Sequence, residues 1–285
     1  MHICKYFCIF APFFEKMEYI SGHISKNQVK FIRSLQQKKV RDEEKLFVAE
    51  GDKCISELLG HFDLVLHVKG DGRELSQMSS LKTPQGSLAV FRQKSFSDSG
   101  LSAKGGLSAS AVFQQSGLVL ALDGIQDPGN LGTIIRTADW FGITDIYCSK
   151  DTADCYNPKV VQATMGALAR VNIHYVDLVE SLKLIVERSS KVDSLKFPIY
   201  GTLLDGRNIY EPGAIADTTG GIIIMGNEGN GISAEVREFI THPLYIPSYP
   251  PNARHQTPDT HIESLNVAIA TAITLAEFRR QFTTK

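Results

Sequence analysis

Cysteine is scarce in this chain: there are five in 285 residues (Cys4, Cys8, Cys54, Cys148, Cys155), odd in number and with no CxxC pair. That excludes a disulfide framework and leads to the expectation of a reducing, cytoplasmic setting. The eight histidines show neither HExxH nor zinc-ligand spacing, so no metal is expected. No segment has the apolar length of a membrane helix. The opening "MHICKYFCIFAPFF" carries only His2 and Lys5 as a positive region and lacks a small-residue cleavage site. It fails as a signal peptide, and the folded protein is expected to open at Met17. The net charge of -1 gives no global footprint for nucleic acid, so any basic surface must be local.

One such surface is present. "KNQVKFIRSLQQKKVRDEEK", Lys26 to Lys45, holds seven Lys or Arg against three acids, although a solvated helix face would also account for it. Val29, Ile32 and Leu35 share one face there, which predicts an amphipathic helix. Residues 21–95 read as a small α/β module following an N-terminal extension, 1–20. Residues 96–116 are rich in Ser and Gly and read as a flexible linker. Over 117–285 apolar strands alternate with amphipathic helices, from "LVLALD" to "LNVAIATAITLAEFRR". That alternation predicts a mostly parallel sheet with helices on both faces. Such folds bind ligands beyond the carboxyl ends of their strands.

Three strand ends stand out. "DPGNLGTIIRTADWFG" follows the run "LVLALDGIQ" and places Asn130 and Arg136 on a helix after a Pro-Gly turn. A solvated surface residue is the plain account of Arg136 alone. "IIIMGNEGNGIS" leads a buried strand into Gly226, Asn227, Glu228, Gly229 and Gly231, with Ser233 placed to cap the next helix. Glycines there let backbone approach a ligand. The spacing is not that of a dinucleotide fingerprint, and Glu228 would repel phosphate, so an uncharged or cationic ligand is expected. In "IESLNVAIATAIT", capping accounts for Ser264 but leaves Asn266, in the first turn of an apolar helix, without a role. Neither a catalytic triad nor a carboxylate pair accompanies these stretches, so hydrolase chemistry finds no support.

Taken together and in this order, these three stretches resemble the motifs of the SpoU/TrmH family of RNA ribose 2'-O-methyltransferases, a likeness running over residues 118–280. "NPKVVQATMGAL" resembles the stretch between the first two motifs. Residues 25–93, including "FVAEG" and "LKTPQGSLAV", are similar to the RNA substrate-binding module that precedes the catalytic domain in many members. The resemblance implies a trefoil-knotted parallel sheet, a homodimer, S-adenosylmethionine as donor, and tRNA or rRNA as substrate. It implies site roles for Asn130, Arg136, Glu228, Ser264 and Asn266. It places the donor against Thr202, Leu203, Gly226, Asn227, Gly229, Gly231, Ile246 and Leu265. The connection "SYPPNARHQTPDTHIE" between Pro247 and Ser264 is longer than the family's usual one, with Arg254 and His255 available to RNA. A non-catalytic RNA-binding or ribosome-assembly factor retaining the fold is the alternative.

Overall fold

The computed structural model describes residues 18–21, 24–70, 72–81, 83–94, 117–189, 198–216, 220–249 and 264–283. The expected start at Met17, the 96–116 linker, and the prolines, Arg254 and His255 of the long connection lie outside the described residues. The chain divides into two compact units: Met1–Lys94 with Asp154–Arg170, and Ser95–Ala153 with Val171–Lys285.

In the first unit the expected amphipathic helix forms as α1 (Lys26–Ser34), burying Ile32 and, just beyond its end, Leu35. Ser25 and Gln28 close its start reciprocally: Gln28 N donates to Ser25 Oγ, and Ser25 N to Gln28 Oε1. After α2 (Lys38–Glu44) come strands β2 (Leu46–Glu50), β3 (Leu64–Lys69) and β4 (Ser87–Arg92), with α3 (Asp52–Leu58) and the single turn α4 (Gly72–Ser76) between them. With β1 (Glu18–Ser21) they make a sheet in the order β1-β3-β4-β2. β4 runs antiparallel to both neighbours, and β1 is parallel to β3.

Residues 154–170, placed by the sequence within the 117–285 domain, complete the core of this first unit. Their helix α6 (Pro158–Thr164) buries Val160 and Val161. The Tyr156 ring lies 4.8 Å from that of Phe47, and its hydroxyl accepts a hydrogen bond from Lys94 N. Arg41, counted among the cations of the basic run, is only 1% exposed and is not a surface charge. Its Nη1 donates to the carbonyls of Leu35 (2.8 Å) and Gln36 (2.7 Å), its Nη2 to Asp154 Oδ2 (2.6 Å). Asp154 Oδ1 in turn accepts from Tyr156 N. One guanidinium thus ends α1 and fastens the second stretch of chain. Lys38 and Lys39 pair with Asp42 and Glu43, which leaves Lys26, Lys30 and Arg33 as the exposed cations of α1.

The second unit is the expected α/β layer. β5 (Leu118–Asp123), β6 (Asp145–Ser149), β7 (Asn172–Val176), β8 (Ile199–Asn208), β9 (Gly221–Gly226) and β10 (His242–Tyr245) form a parallel sheet in the order β10-β8-β9-β5-β6-β7. The central strands are buried along their length, as a sheet covered on both faces requires. From β5 the chain moves outward to β6 and β7; from β9 it moves outward the other way to β10. The order reverses between β5 and β9, which is where open α/β sheets leave a crevice at their carboxyl ends. Helix α5 (Pro128–Trp140) follows β5, α7 (Leu178–Ser189) follows β7, α8 (Ala234–Arg237) is one turn after β9, and α9 (Val267–Thr283) packs along α5. Both ends of that pairing are tied, by Asn266 Nδ2 to Asn130 Oδ1 and by Arg279 Nε to Phe141 O, so the two helices run side by side in one direction.

The Arg41–Asp154 pair predicts a stability asymmetry. Arg41→Ala strands a nearly buried carboxylate, a loss of about 3–5 kcal/mol when one side of a buried pair is removed. Removing both charges, with Arg41→Met and Asp154→Leu together, should restore much of that loss in urea unfolding.

Candidate active site

The turn after β5 begins with Gly124 at φ +72° and leads to Asp127, whose side chain accepts from Asn130 N and caps α5. Pro128 occupies the first helical position, where its missing N–H costs nothing. Sequence inspection passed over Asp127, although Asp before Pro at a helix start is its ordinary signal. This cap fixes the first turn of α5, and Asn130 with it.

The loop after β9 doubles back on itself. Gly226 has no room for a side chain, since a Cβ there would lie 2.3 Å from Gly231 C and Ile232 N. Asn227 and Gly231 exchange backbone hydrogen bonds (2.8 and 2.9 Å), and Asn227 Oδ1 accepts from Gly229 N and Asn230 N. The N–H groups of residues 229 to 231 are therefore consumed within the loop. A phosphate cradle needs those donors free. With Glu228 on its tip, the loop instead suits a ligand that is uncharged or cationic there, and a sulfonium donor fits.

Asn266 resolves the question left open in the third stretch. Helix α9 begins at Val267, so Asn266 and not Ser264 stands at the cap: its Oδ1 accepts from Ala268 N (3.0 Å) and Ile269 N (3.3 Å). Ser264 is exposed and makes no hydrogen bond among the described residues. Ser233 likewise stands at the cap of α8 without a side-chain bond to it. With Oδ1 committed, Asn266 turns its Nδ2 to Asn130 Oδ1 (2.8 Å), and Asn130 turns its Nδ2 to Glu228 Oε1 (2.9 Å). Residues from all three strand ends thus form one hydrogen-bonded row.

The remaining residues named from sequence are distributed around this row. Arg136 lies on the exposed face of α5, with no hydrogen bond or ion pair among the described residues. Between Pro243 and Leu244 the pairing of β10 jumps from Gly201 to Arg207 on β8, so Thr202 and Leu203 leave the ladder. Thr202 Oγ1 donates to Met225 Sδ (3.7 Å), and Leu203 packs on the core. Ile246 is half-buried just after β10, and Leu265 is exposed. Among the described residues no cluster of three or more His, Cys, Asp or Glu is arranged to hold a metal.

A parallel sheet with polar residues gathered at its switch point defines an α/β enzyme whose site is built from loops at strand ends. The chain belongs to the SpoU rRNA Methylase family, whose model matches residues 117–276. The MRM3-like substrate binding domain matches residues 26–68. Similar proteins include the 23S rRNA (guanosine(2553)-2'-O)-methyltransferase RlmP of Bacillus subtilis, 29% identical over 90% of this chain and 97% of that one. A solved structure from Porphyromonas gingivalis, assigned to the TrmH family of RNA methyltransferases, is 37% identical with a TM-score of 0.71, covering 91% of this chain and all of that one. An AdoMet-bound rRNA methyltransferase from Sinorhizobium meliloti is 26% identical at TM-score 0.71, over 93% of this chain and 98% of that one.

The two functions of Asn266 are separable. Asn266→Ala removes a helix cap, worth about 1 kcal/mol, together with the link to Asn130. Asn266→Asp keeps an oxygen for the cap but loses the donor to Asn130. The Asp variant should melt near the wild-type temperature while its methyl-transfer rate falls with that of the Ala variant; thermal melts beside single-turnover assays check this.

Proposed function

We propose that this protein transfers a methyl group from S-adenosylmethionine to a ribose 2'-hydroxyl of RNA. The observation that carries this reading is the row Glu228–Asn130–Asn266, which gathers the three motifs at the β5/β9 switch point. S-adenosylmethionine, when bound, supplies an electrophilic methyl. The backbone of Gly226, Ile246 and Leu265, with Thr202 and Leu203, would hold it, and the internally satisfied Gly226–Ile232 loop excludes phosphate in its place. A 2'-hydroxyl is a weak nucleophile at neutral pH. Arg136, exposed on α5, is the group on hand to pair with a substrate phosphate and stabilise the developing alkoxide. Ser264, free of capping duty, is available to the same ribose.

Ribosomal RNA is favoured over tRNA by the names of the relatives. Lys26, Lys30 and Arg33, exposed on α1 within the substrate-binding match, suit phosphate contacts. A homodimer is supported by Trp140, Leu265 and Ile269, large apolar side chains left 84%, 47% and 54% exposed around the paired α5 and α9. The return of α9 beside α5 supports the threaded C-terminal helix of the family. Cys54, Cys148 and Cys155 are buried, and none of them forms a disulfide among the described residues, which supports work in the cytoplasm.

Arg136→Ala should bind S-adenosylmethionine as wild type does while single-turnover transfer falls about 10²–10⁴-fold. Arg136→Lys should recover little, because an ammonium lacks the planar fork. A near-wild-type rate in the Ala variant removes Arg136 from the mechanism, and a wild-type protein that binds RNA without methylating it makes the chain an assembly factor. Trp140 is the chain's single tryptophan, so its emission should shift to the blue on dimerisation, in step with the sedimentation mass as concentration rises. An emission and mass independent of concentration, at the value of one chain, counts against the dimer.

A further inference from the structure

We infer that Asp123 is a positioning residue for methyl transfer, a buried carboxylate that pins the far end of the Gly226–Ile232 loop to the end of β5. The inference rests on the donor-binding reading of that loop. Asp123 ends a strand whose other five residues are apolar, and it lies only 9% exposed. Along that strand Val119 and Ala121 share its face, and both belong to the core that includes Ile232 and Val236. An apolar residue would be the ordinary occupant there, and a buried carboxylate requires a partner. The partner is a backbone N–H beyond the loop: Ser233 N donates to Asp123 Oδ2 at 2.7 Å.

The near end of the loop is held by the next residue of the same strand end. Asn227 Nδ2 donates to Gly124 O at 2.6 Å. Asp123 is also the register partner of Gly226 on the neighbouring strand. Asp123, the last residue of β5, and Gly124, the first after it, therefore grip the loop on either side of Glu228, while Asn227 closes it from within through Gly229, Asn230 and Gly231. Gly124 N in turn donates to Ser149 Oγ at the end of β6 (2.8 Å), so this strand end is itself anchored. Two grips on adjacent residues leave the loop little freedom to translate or tilt, and the tip carboxylate of Glu228 is delivered to Asn130. Asp123 acts through Ser233 and the loop, not by touching donor or RNA.

The test is donor binding by calorimetry, single-turnover transfer and amide hydrogen exchange, on full-length wild type, Asp123→Ala and Asp123→Asn. Charge-assisted bonds to backbone N–H are among the stronger ones, so Asp123→Ala should weaken S-adenosylmethionine binding about 10-fold or more. Transfer at saturating donor should change less, and exchange should quicken at residues 229–233 while β5 and β9 stay protected. Asp123→Asn keeps an acceptor oxygen and should return both readouts to within about threefold of wild type. Unchanged donor affinity and unchanged loop exchange in Asp123→Ala would overturn the inference. So would an Asn variant whose loop exchange returns to the wild-type rate while its donor binding stays as weak as that of the Ala variant, since Asp123 would then serve the donor otherwise than by holding the loop. A wild type that binds no donor defeats the functional reading instead, and the exchange comparison still decides whether Asp123 holds the loop.

Discussion

The commitment of one amide oxygen orders the rest of the site. Asn266 Oδ1 is taken by the first turn of α9, so its nitrogen has to face outward. An amide has one acceptor end and one donor end, and each orientation dictates the next. Asn130 must present its oxygen to Asn266 and its nitrogen to the carboxylate of Glu228. The polarity of the row is thus set by helix capping, an interaction otherwise associated with stability alone. It also brings together residues 136 positions apart in the chain, which no local pattern could arrange.

The arrangement divides labour by exposure. The holding groups (Asp123, Asn227, the backbone of the loop) are spent on one another, and Arg136 and Ser264 are exposed with no partner among the described residues. A guanidinium tied into an ion pair would have to break that pair before meeting a phosphate; left free, it loses only solvation. Arg41 shows the opposite use of the same residue type. Four hydrogen bonds from its guanidinium go to two carbonyls and one carboxylate, and the fork geometry that suits phosphate serves here to close a helix and fasten a second segment.

Much of the fold was legible because buried parallel strands and amphipathic helices write their period into the sequence. The strand runs at Leu118–Asp123 and Gly221–Gly226, and the face of Val29, Ile32 and Leu35, are of that kind. The gathering of Asn130, Glu228 and Asn266 was legible only through family likeness, since each residue taken singly has an ordinary explanation. Two readings failed for a shared physical reason. Arg41 looked like a surface charge and Ser264 like a cap because residue type reports preference, whereas burial and helix start are decided by packing. A shift of two residues in where α9 begins moves the cap from Ser264 to Asn266 and, with it, the role of both. That residues 154–170, inside the span of the family match, pack with the first unit was not legible, because their apolar pattern says that they are buried and not against what.

The sign of the site follows from the same accounting. Helix starts and glycine loops ordinarily attract anions, since both expose N–H groups. Here the start of α5 is answered by Asp127, that of α9 by Asn266, and the loop after β9 by Asn227. At each of these places a neighbouring side chain takes donors that would otherwise recruit a phosphate, and the remaining charge of the row is the carboxylate of Glu228. An architecture inclined by its helix dipoles toward phosphate has been turned toward a cation at this one place. Arg136, the group proposed to meet the RNA phosphate, lies farther along the exposed face of α5, so under the proposed function the cationic donor and the RNA backbone would be drawn to different places.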